Sequence, residues 1–214
     1  MEPMDIDNLF NPFSTRADSR QLDETVDEFL SRLPPYPKNE QGWYWIANPH
    51  IGPEHYPQDE WRRVESLKSQ GDALLGRYHG TPNAGKELEK EIVELARTTG
   101  VVVGKWMLFL QAHDVNNTWA RIAHATANNR LGTSAAVATG SQDGGHCRLV
   151  CVYTRDFTDE ADVQRVLREL DRMGLVPKGR GLQYKCDAYT HLDIYAGNEY
   201  GVHPSIYSSA RMLR

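Results

Sequence analysis

One stretch of the sequence, residues 104–154, constrains the fold more than any other. Residues 105–110 (KWMLFL) form an apolar run that predicts a buried strand, and residues 114–129 predict a turn followed by a helix. A short strand over residues 135–139 and a β-branched, aromatic strand over residues 148–154 (RLVCVYT) follow. Strand, helix, strand and strand in this order are typical of the core of an α+β domain.

The rest of the chain adds helices and strands to this core. Apolar spacing predicts further helices over residues 19–33, from the N-cap Asp59 to Leu75, over residues 85–98 and over residues 159–173. Alternation predicts a strand around Trp43 and Trp45 and another over residues 183–189. We therefore predict an α+β fold in which one mostly antiparallel sheet is backed by helices, and a parallel, doubly wound sheet would contradict this.

Length and composition limit the domain organisation and the class of protein. We expect residues 1–18, which show no period, to be a flexible arm and residues 19–214 to form a single α+β domain. The net charge of −5 argues against a protein that coats nucleic acid non-specifically. Three cysteines without CxxC spacing indicate reduced thiols. With no long apolar run and no signal peptide, we expect no membrane partner and a location in the cytoplasm, with the nucleus as a second compartment.

Signatures of catalysis and of metal binding are absent from the sequence. The eight histidines are scattered, with no HExxH pair, and there is no GxSxG elbow. We therefore expect no metal, no cofactor and no catalytic residues.

Residues 80–86 (GTPNAGK) match the GxxxxGK pattern of a phosphate-binding loop. The following residue is Glu87, where that loop needs a hydroxyl to ligate magnesium, and the preceding residues favour a helix instead of the strand that the loop requires. We interpret the segment as a corner between two helices and predict that it binds no triphosphate.

Residues 172–185 contain four basic residues and no acidic one, and the strand after them alternates polar and apolar side chains. Cations on a glycine-flanked loop contact phosphates, while a flat ring and a carboxylate on a strand face contact a base. This pattern predicts an anion-preferring cleft, although a solvated loop explains the charges as well. The predicted ligand-binding residues of the cleft are Arg155, Lys178, Arg180, Lys185, Asp187 and Tyr189.

Residues 105–119 (KWMLFLQAHDVNNTW) combine a basic residue and Trp, an apolar strand and a polar loop closed by Thr-Trp, and residues 149–175 combine a strand, an acidic turn and a long helix. These two segments resemble the first strand and loop, and the later strand, turn and helix, of the mRNA cap-binding initiation factor 4E.

Four further segments are GKWMLF (104–109), VYT (152–154), YKCDAYT (184–190) and GVHPSIY (201–207). Through these segments the chain is more similar to a eukaryotic family first named from basophilic leukaemia cells, over roughly residues 42–208. That resemblance implies a curved antiparallel sheet backed by helices, of the initiation-factor-4E kind, and brings no established activity with it.

A cap-binding factor clamps methylguanine between two Trp rings, reads the base with an acid and holds the phosphates with basic residues. By resemblance, Trp119 matches the first ring, but the helical character of the residues after it makes core packing the other interpretation. Too few residues separate Trp119 from the strand over residues 148–154 to carry the second Trp and the acid. The segment before that strand (SQDGGHCR) provides Arg148 as its basic residue.

Two functional hypotheses follow. The first is an RNA- or nucleotide-binding module with a diverged cap-binding-like cleft, to which Trp119 and Arg148 also belong. The alternative is a protein-interaction scaffold that keeps the fold without the base pocket. The expected partners are accordingly RNA or a nucleotide in the first case and a protein in the second.

Overall fold

The structure is a computed structural model that describes residues 9–38, 40–81, 85–140, 147–179 and 181–214. Within these residues the chain forms one six-stranded sheet with the order β1-β3-β4-β2-β5-β6, and all neighbouring strands are antiparallel. The predicted antiparallel α+β fold is therefore confirmed. The strands are β1 (Trp43–Ala47), β2 (Gly104–Gln111), β3 (Ser134–Ala138), β4 (Cys147–Thr154), β5 (Gln183–Cys186) and β6 (Tyr207–Ser208).

Seven α-helices lie in the described part of the chain, together with a short 3-10 turn, Pro53–His55. None of these helices combines the length and the apolar character needed to cross a membrane. The helices are α1 (Val26–Arg32), α2 (Glu60–Tyr78), α3 (Gly85–Thr99), α4 (Ala112–Ala127), α5 (Glu160–Arg172), α6 (Asp187–His191) and α7 (Ser209–Met212).

Two predicted elements are shorter than expected. The helix predicted over residues 19–33 begins only at Val26, because Thr25 and Glu28 form a reciprocal capping box that sets its start. The strand predicted over residues 183–189 ends at Cys186, and the next residue begins α6. Its alternation was misleading because Tyr189 is buried by helix packing and not by the sheet.

The GxxxxGK segment lies between two helices, as predicted. α2 ends at Tyr78, Gly80 has a φ of +70°, and α3 begins at Gly85. A side chain at Gly85 would meet the Gly201 carbonyl oxygen at 2.4 Å, so this glycine allows close packing against the C-terminal segment. Residues 82–84 lie outside the described residues, and the absence of a triphosphate site stays a prediction.

The sheet has one face that forms the core and one that we call the open face. On the core face, Trp106 and Val152 pack under α4 and α5, and the Trp106 indole donates a hydrogen bond to the Val163 carbonyl (3.1 Å). The odd-numbered residues of β2 and β4 point to the open face. Strand register adds neighbours from β1, β3 and β5, so that this face carries Trp43, Trp45, Ser134, Ala136, Lys105, Met107, Phe109, Leu149, Cys151, Tyr153, Gln183 and Lys185.

Candidate functional site

A cavity of about 280 Å³ lies at one end of the open face. Its walls come from segments far apart in the sequence: residues 13–16, β1, the loop before α2, the first turns of α2, the end of β4 and the start of α6. Aromatic rings, three arginines and two carboxylates line it together. Apolar cavities with a few converging polar groups are the usual form of a small-ligand site.

The aromatic wall is built from Trp45 and Tyr153. Their rings are stacked at a centroid distance of 5.5 Å and an interplanar angle of 27°. They come from β1 and β4, which are separated by β3, and they meet because β3 places only the small side chains of Ser134 and Ala136 between them. Phe13 packs against Trp45 as well, at 5.4 Å.

Three arginines line the cavity, and they differ in their partners. Arg16 binds Asp18, and its guanidinium lies 5.2 Å from the centre of the Trp45 ring. Arg63 binds Asp59 (Nε to Oδ1, 2.8 Å).

The third, Arg155, is exposed and donates a hydrogen bond to His55 Nδ1 (3.1 Å). Nδ1 accepts this bond in the neutral tautomer that carries its proton on Nε2, the nitrogen that lies 3.2 Å from Glu54 Oε1. Its positive charge is therefore left uncompensated by any carboxylate ion pair among the described residues.

Two carboxylates face the cavity. Asp187, at the start of α6, accepts a hydrogen bond from the Lys105 ammonium, which also donates to Thr190 Oγ1 (3.2 Å). Glu60, at the start of α2, lies at the cavity wall, where partial loss of hydration and the negative charge of Asp187 raise its pKa. The Asp187 carboxylate is thus paired with the Lys105 ammonium, while the Glu60 carboxylate takes up a proton more readily than an ordinary glutamate does.

Two polar groups of the cavity remain neutral near pH 7. Burial raises the pKa of Tyr56 to about 12, and its hydroxyl donates to the Thr133 carbonyl (3.0 Å). Burial also lowers the pKa of the half-buried His191, against the opposing effect of Asp187.

Of the predicted site residues that the structure describes, two line this cavity, Arg155 and Asp187. Trp119 and Tyr189 are fully buried in the core, and Trp119 lies edge-on to Phe29 at 6.3 Å. Neither ring is available to a ligand in this structure, because α4 and α6 turn them inward. For Trp119, core packing, the other interpretation of the sequence, is the one observed.

The remaining predicted residues lie elsewhere. Arg148 is buried at the opposite end of β4 from Arg155, with its Nη2 3.4 Å from the Lys38 carbonyl. Lys178 is exposed on the loop after α5, and Arg180 lies outside the described residues. Lys185 is buried on the open face, with its Nζ 3.7 Å from the centre of the Tyr195 ring.

Sequence reasoning missed most of the cavity, above all Trp45, Tyr153, Arg63 and Glu60. The alternation around Trp43 and Trp45 did indicate a strand, and a run of alanines indicated the neighbouring one. These two signals together could have suggested that large rings meet across a strand of small residues.

The described residues hold no cluster of three or more His, Cys, Asp or Glu side chains placed to bind a metal ion. The sequence is similar to a known protein family: the model of a family described as basophilic leukemia-expressed protein Bles03 matches residues 1–84 and 80–193.

Proposed function

This chain belongs to the family of basophilic leukemia-expressed protein Bles03, and we propose that it binds a nucleotide or single-stranded RNA in the cavity on its open face. One observation carries the proposal: a stacked Trp45–Tyr153 wall stands in the same cavity as Arg155, an exposed cation that forms no ion pair with a carboxylate of the described residues. Flat rings hold bases in a sequence-tolerant way, and guanidinium groups bind phosphates with two parallel hydrogen bonds.

The size and polarity of the cavity suit one base and its phosphate. A volume of about 280 Å³ is at the lower end of ligand sites. Asp187 and Glu60 supply acceptors for the N–H groups on the edge of a base. Because these two acids make the electrostatic potential of the cavity less positive, we expect specific binding of one nucleotide and no non-specific binding of nucleic acid.

We also propose that the fold is of the initiation-factor-4E kind, with a diverged cleft. One antiparallel sheet with α4 and α5 packed on its core face supports this assignment. The ring that the resemblance assigned to Trp119 is replaced in our proposal by Trp45 and Tyr153. A role with RNA agrees with the proposed location in the cytoplasm and the nucleus.

The test is binding of GMP and of a short single-stranded RNA to the full chain at several salt concentrations. We expect Arg155→Ala to weaken binding by about 1.5–3 kcal/mol, the scale of a hydrogen bond to a charged group. The loss should shrink as salt rises. Arg168→Ala is the matched control, because Arg168 is exposed on α5, which packs on the opposite face of the sheet.

Absence of salt-dependent binding in the wild type, or equal binding by the Arg155 and Arg168 variants, would overturn the proposal. The protein-interaction scaffold would then take its place. One observation favours that second candidate: Phe109 is 56% exposed on the open face, next to the partly buried Met107 and Leu149. Large exposed apolar side chains grouped on one surface mark protein contacts.

A further inference from the structure

A pair of lysines lies next to the cavity on the open face. Lys105 on β2 and Lys185 on β5 are direct cross-strand neighbours, and they are only 9% and 5% exposed. Residues in this relation have Cβ atoms about 4.5–5.5 Å apart, and like charges at that distance destabilise each other. Two buried ammonium groups side by side therefore need either compensation or the loss of a proton.

The two lysines are compensated unequally. Lys105 forms an ion pair with Asp187 and donates to Thr190 as well. No carboxylate of the described residues lies within 4 Å of the Lys185 ammonium, which instead sits 3.7 Å from the centre of the Tyr195 ring. A ring face attracts a cation, but less strongly than a hydrogen-bonded carboxylate does.

The surroundings of Lys185 consequently make its ammonium group lose a proton more readily than that of an ordinary lysine. Burial and the positive charge of Lys105 lower the pKa of Lys185 to about 8, against the weaker opposing effects of Cys186, Asp187 and Asp193. A neutral amine is a nucleophile, and enzymes activate lysines by desolvation and by a neighbouring cation. Tyr195 covers this amine with a ring that is 51% exposed, on a segment outside the strands and helices, so its displacement opens a path to solvent.

We propose that Lys185 is a reactive amine that forms an imine with small aldehydes. The nitrogen lone pair attacks the carbonyl carbon and forms the C–N bond, and the carbonyl oxygen takes a proton. Loss of water then forms the C=N bond, so that both hydrogens of the neutral amine leave with the carbonyl oxygen. Aldehydes are the fitting class because the step needs no oxidant, no reductant and no activated acyl donor. The inference is independent of the proposed nucleotide site, since Lys185 does not line the cavity.

The experiment exposes the full chain to propionaldehyde and sodium cyanoborohydride at pH 7.5, and peptide mass spectrometry measures the rate at which each lysine is alkylated. The reductant only traps the imine. We expect Lys185 to be labelled at least about tenfold faster than the exposed Lys178, because each unit of lowered pKa raises the neutral fraction of an amine about tenfold. Lys185→Arg identifies the labelled peptide.

Two variants test whether the neighbouring Lys105 cation, and not solvent accessibility alone, sets the labelling rate of Lys185. Lys105→Met removes the neighbouring cation and frees Asp187 for Lys185, so labelling at pH 7.5 should slow at least about threefold. Tyr195→Ala removes the covering ring and should speed labelling. The proposal is overturned if Lys185 reacts no faster than Lys178 in both the wild type and Tyr195→Ala, or if Lys105→Met leaves its rate unchanged in a protein with an unaltered circular dichroism spectrum.

Discussion

At the scale of single residues, partly buried ionisable groups decide how the protein responds to pH. His191 lines the cavity at the end of α6, where burial lowers its pKa. Asp187 favours its protonated form, while Lys68 and Lys105 disfavour it. The unfolded chain therefore binds a proton at His191 more tightly than the folded chain does.

Stability should consequently fall as the pH drops from 7 through the ordinary histidine range near 6.5. The His191→Asn variant lacks this proton uptake, so its Tm should fall less between pH 7.5 and pH 5.5 than that of the wild type. The expected difference is small, on the order of 1 °C, because 1 kcal/mol shifts the Tm of a chain of this size by about 2–4 °C. His113→Asn is the control, since its side chain is 78% exposed. A difference as large in the control would count against the explanation.

Trp119 tests the distinction between a core ring and a ligand ring. It is fully buried against Phe29, and replacement by alanine leaves a large cavity. We expect Trp119→Ala to lower the free energy of unfolding by about 3–5 kcal/mol in urea titrations. Trp61→Ala, at a tryptophan that is 63% exposed on α2, should change it by no more than about 0.5 kcal/mol. Equal, small losses in both variants would contradict the core assignment.

At the scale of elements, helix capping distinguishes two helices that begin with the same residue type. The Asp159 side chain accepts a hydrogen bond from the Asp162 amide at the start of α5 (3.1 Å). Asp59, at the start of α2, makes no such bond and pairs instead with Arg63 on the surface.

Asp159→Ala should therefore destabilise the protein by about 1 kcal/mol, the usual effect of losing an N-cap. Asp59→Ala should cost at most about 0.5 kcal/mol, because an exposed ion pair contributes little. Urea unfolding of the two variants checks the order, and an equal or larger loss for Asp59→Ala would show that capping does not explain the difference.

At the scale of the whole molecule, the N-terminal segment completes the sheet and the cavity. Residues 1–18 were predicted to be an arm, and from Leu9 onward the structure shows this segment packed on the domain. Ser19 bridges to Trp45 in the edge strand β1, with hydrogen bonds of 3.0 Å on either side. Phe13 and Arg16 then cover the Trp45 ring.

Removal of residues 1–20 should expose the β1 edge and the part of the Trp45 ring that Phe13 and Arg16 cover. Free strand edges pair with other chains, so we expect this variant to show a larger mass in light scattering as its concentration rises. Its tryptophan emission should shift to longer wavelength. A chain that begins at Leu9 keeps all of these contacts and is the control. The expectation fails if both variants keep the mass and the emission of the full chain.

The sequence by itself determined most of the helices and strands of the described chain. The apolar stripe of α5 and the strands β2 and β4 appeared at their observed places within one or two residues. Periodicity records the burial of each position, and burial follows from local geometry in a helix or a strand. A residue can be buried by a sheet or by helix packing, and the period alone could not distinguish the two at Tyr189, which lies in the short helix α6.

Only the tertiary structure decided the candidate site. Arg155 was predicted from the end of its strand and Asp187 from the polar face of a strand over residues 183–189. Trp45, Tyr153 and Glu60 join them only through the order of the strands and the position of α2. The Trp45–Tyr153 contact depends on the small side chains of β3, which lie between the strands of the two rings. The accessibility of Lys185 depends on the ring of Tyr195, which covers its ammonium group. No local pattern encodes such contacts, because each is set by which distant segment the core packing places opposite a given face.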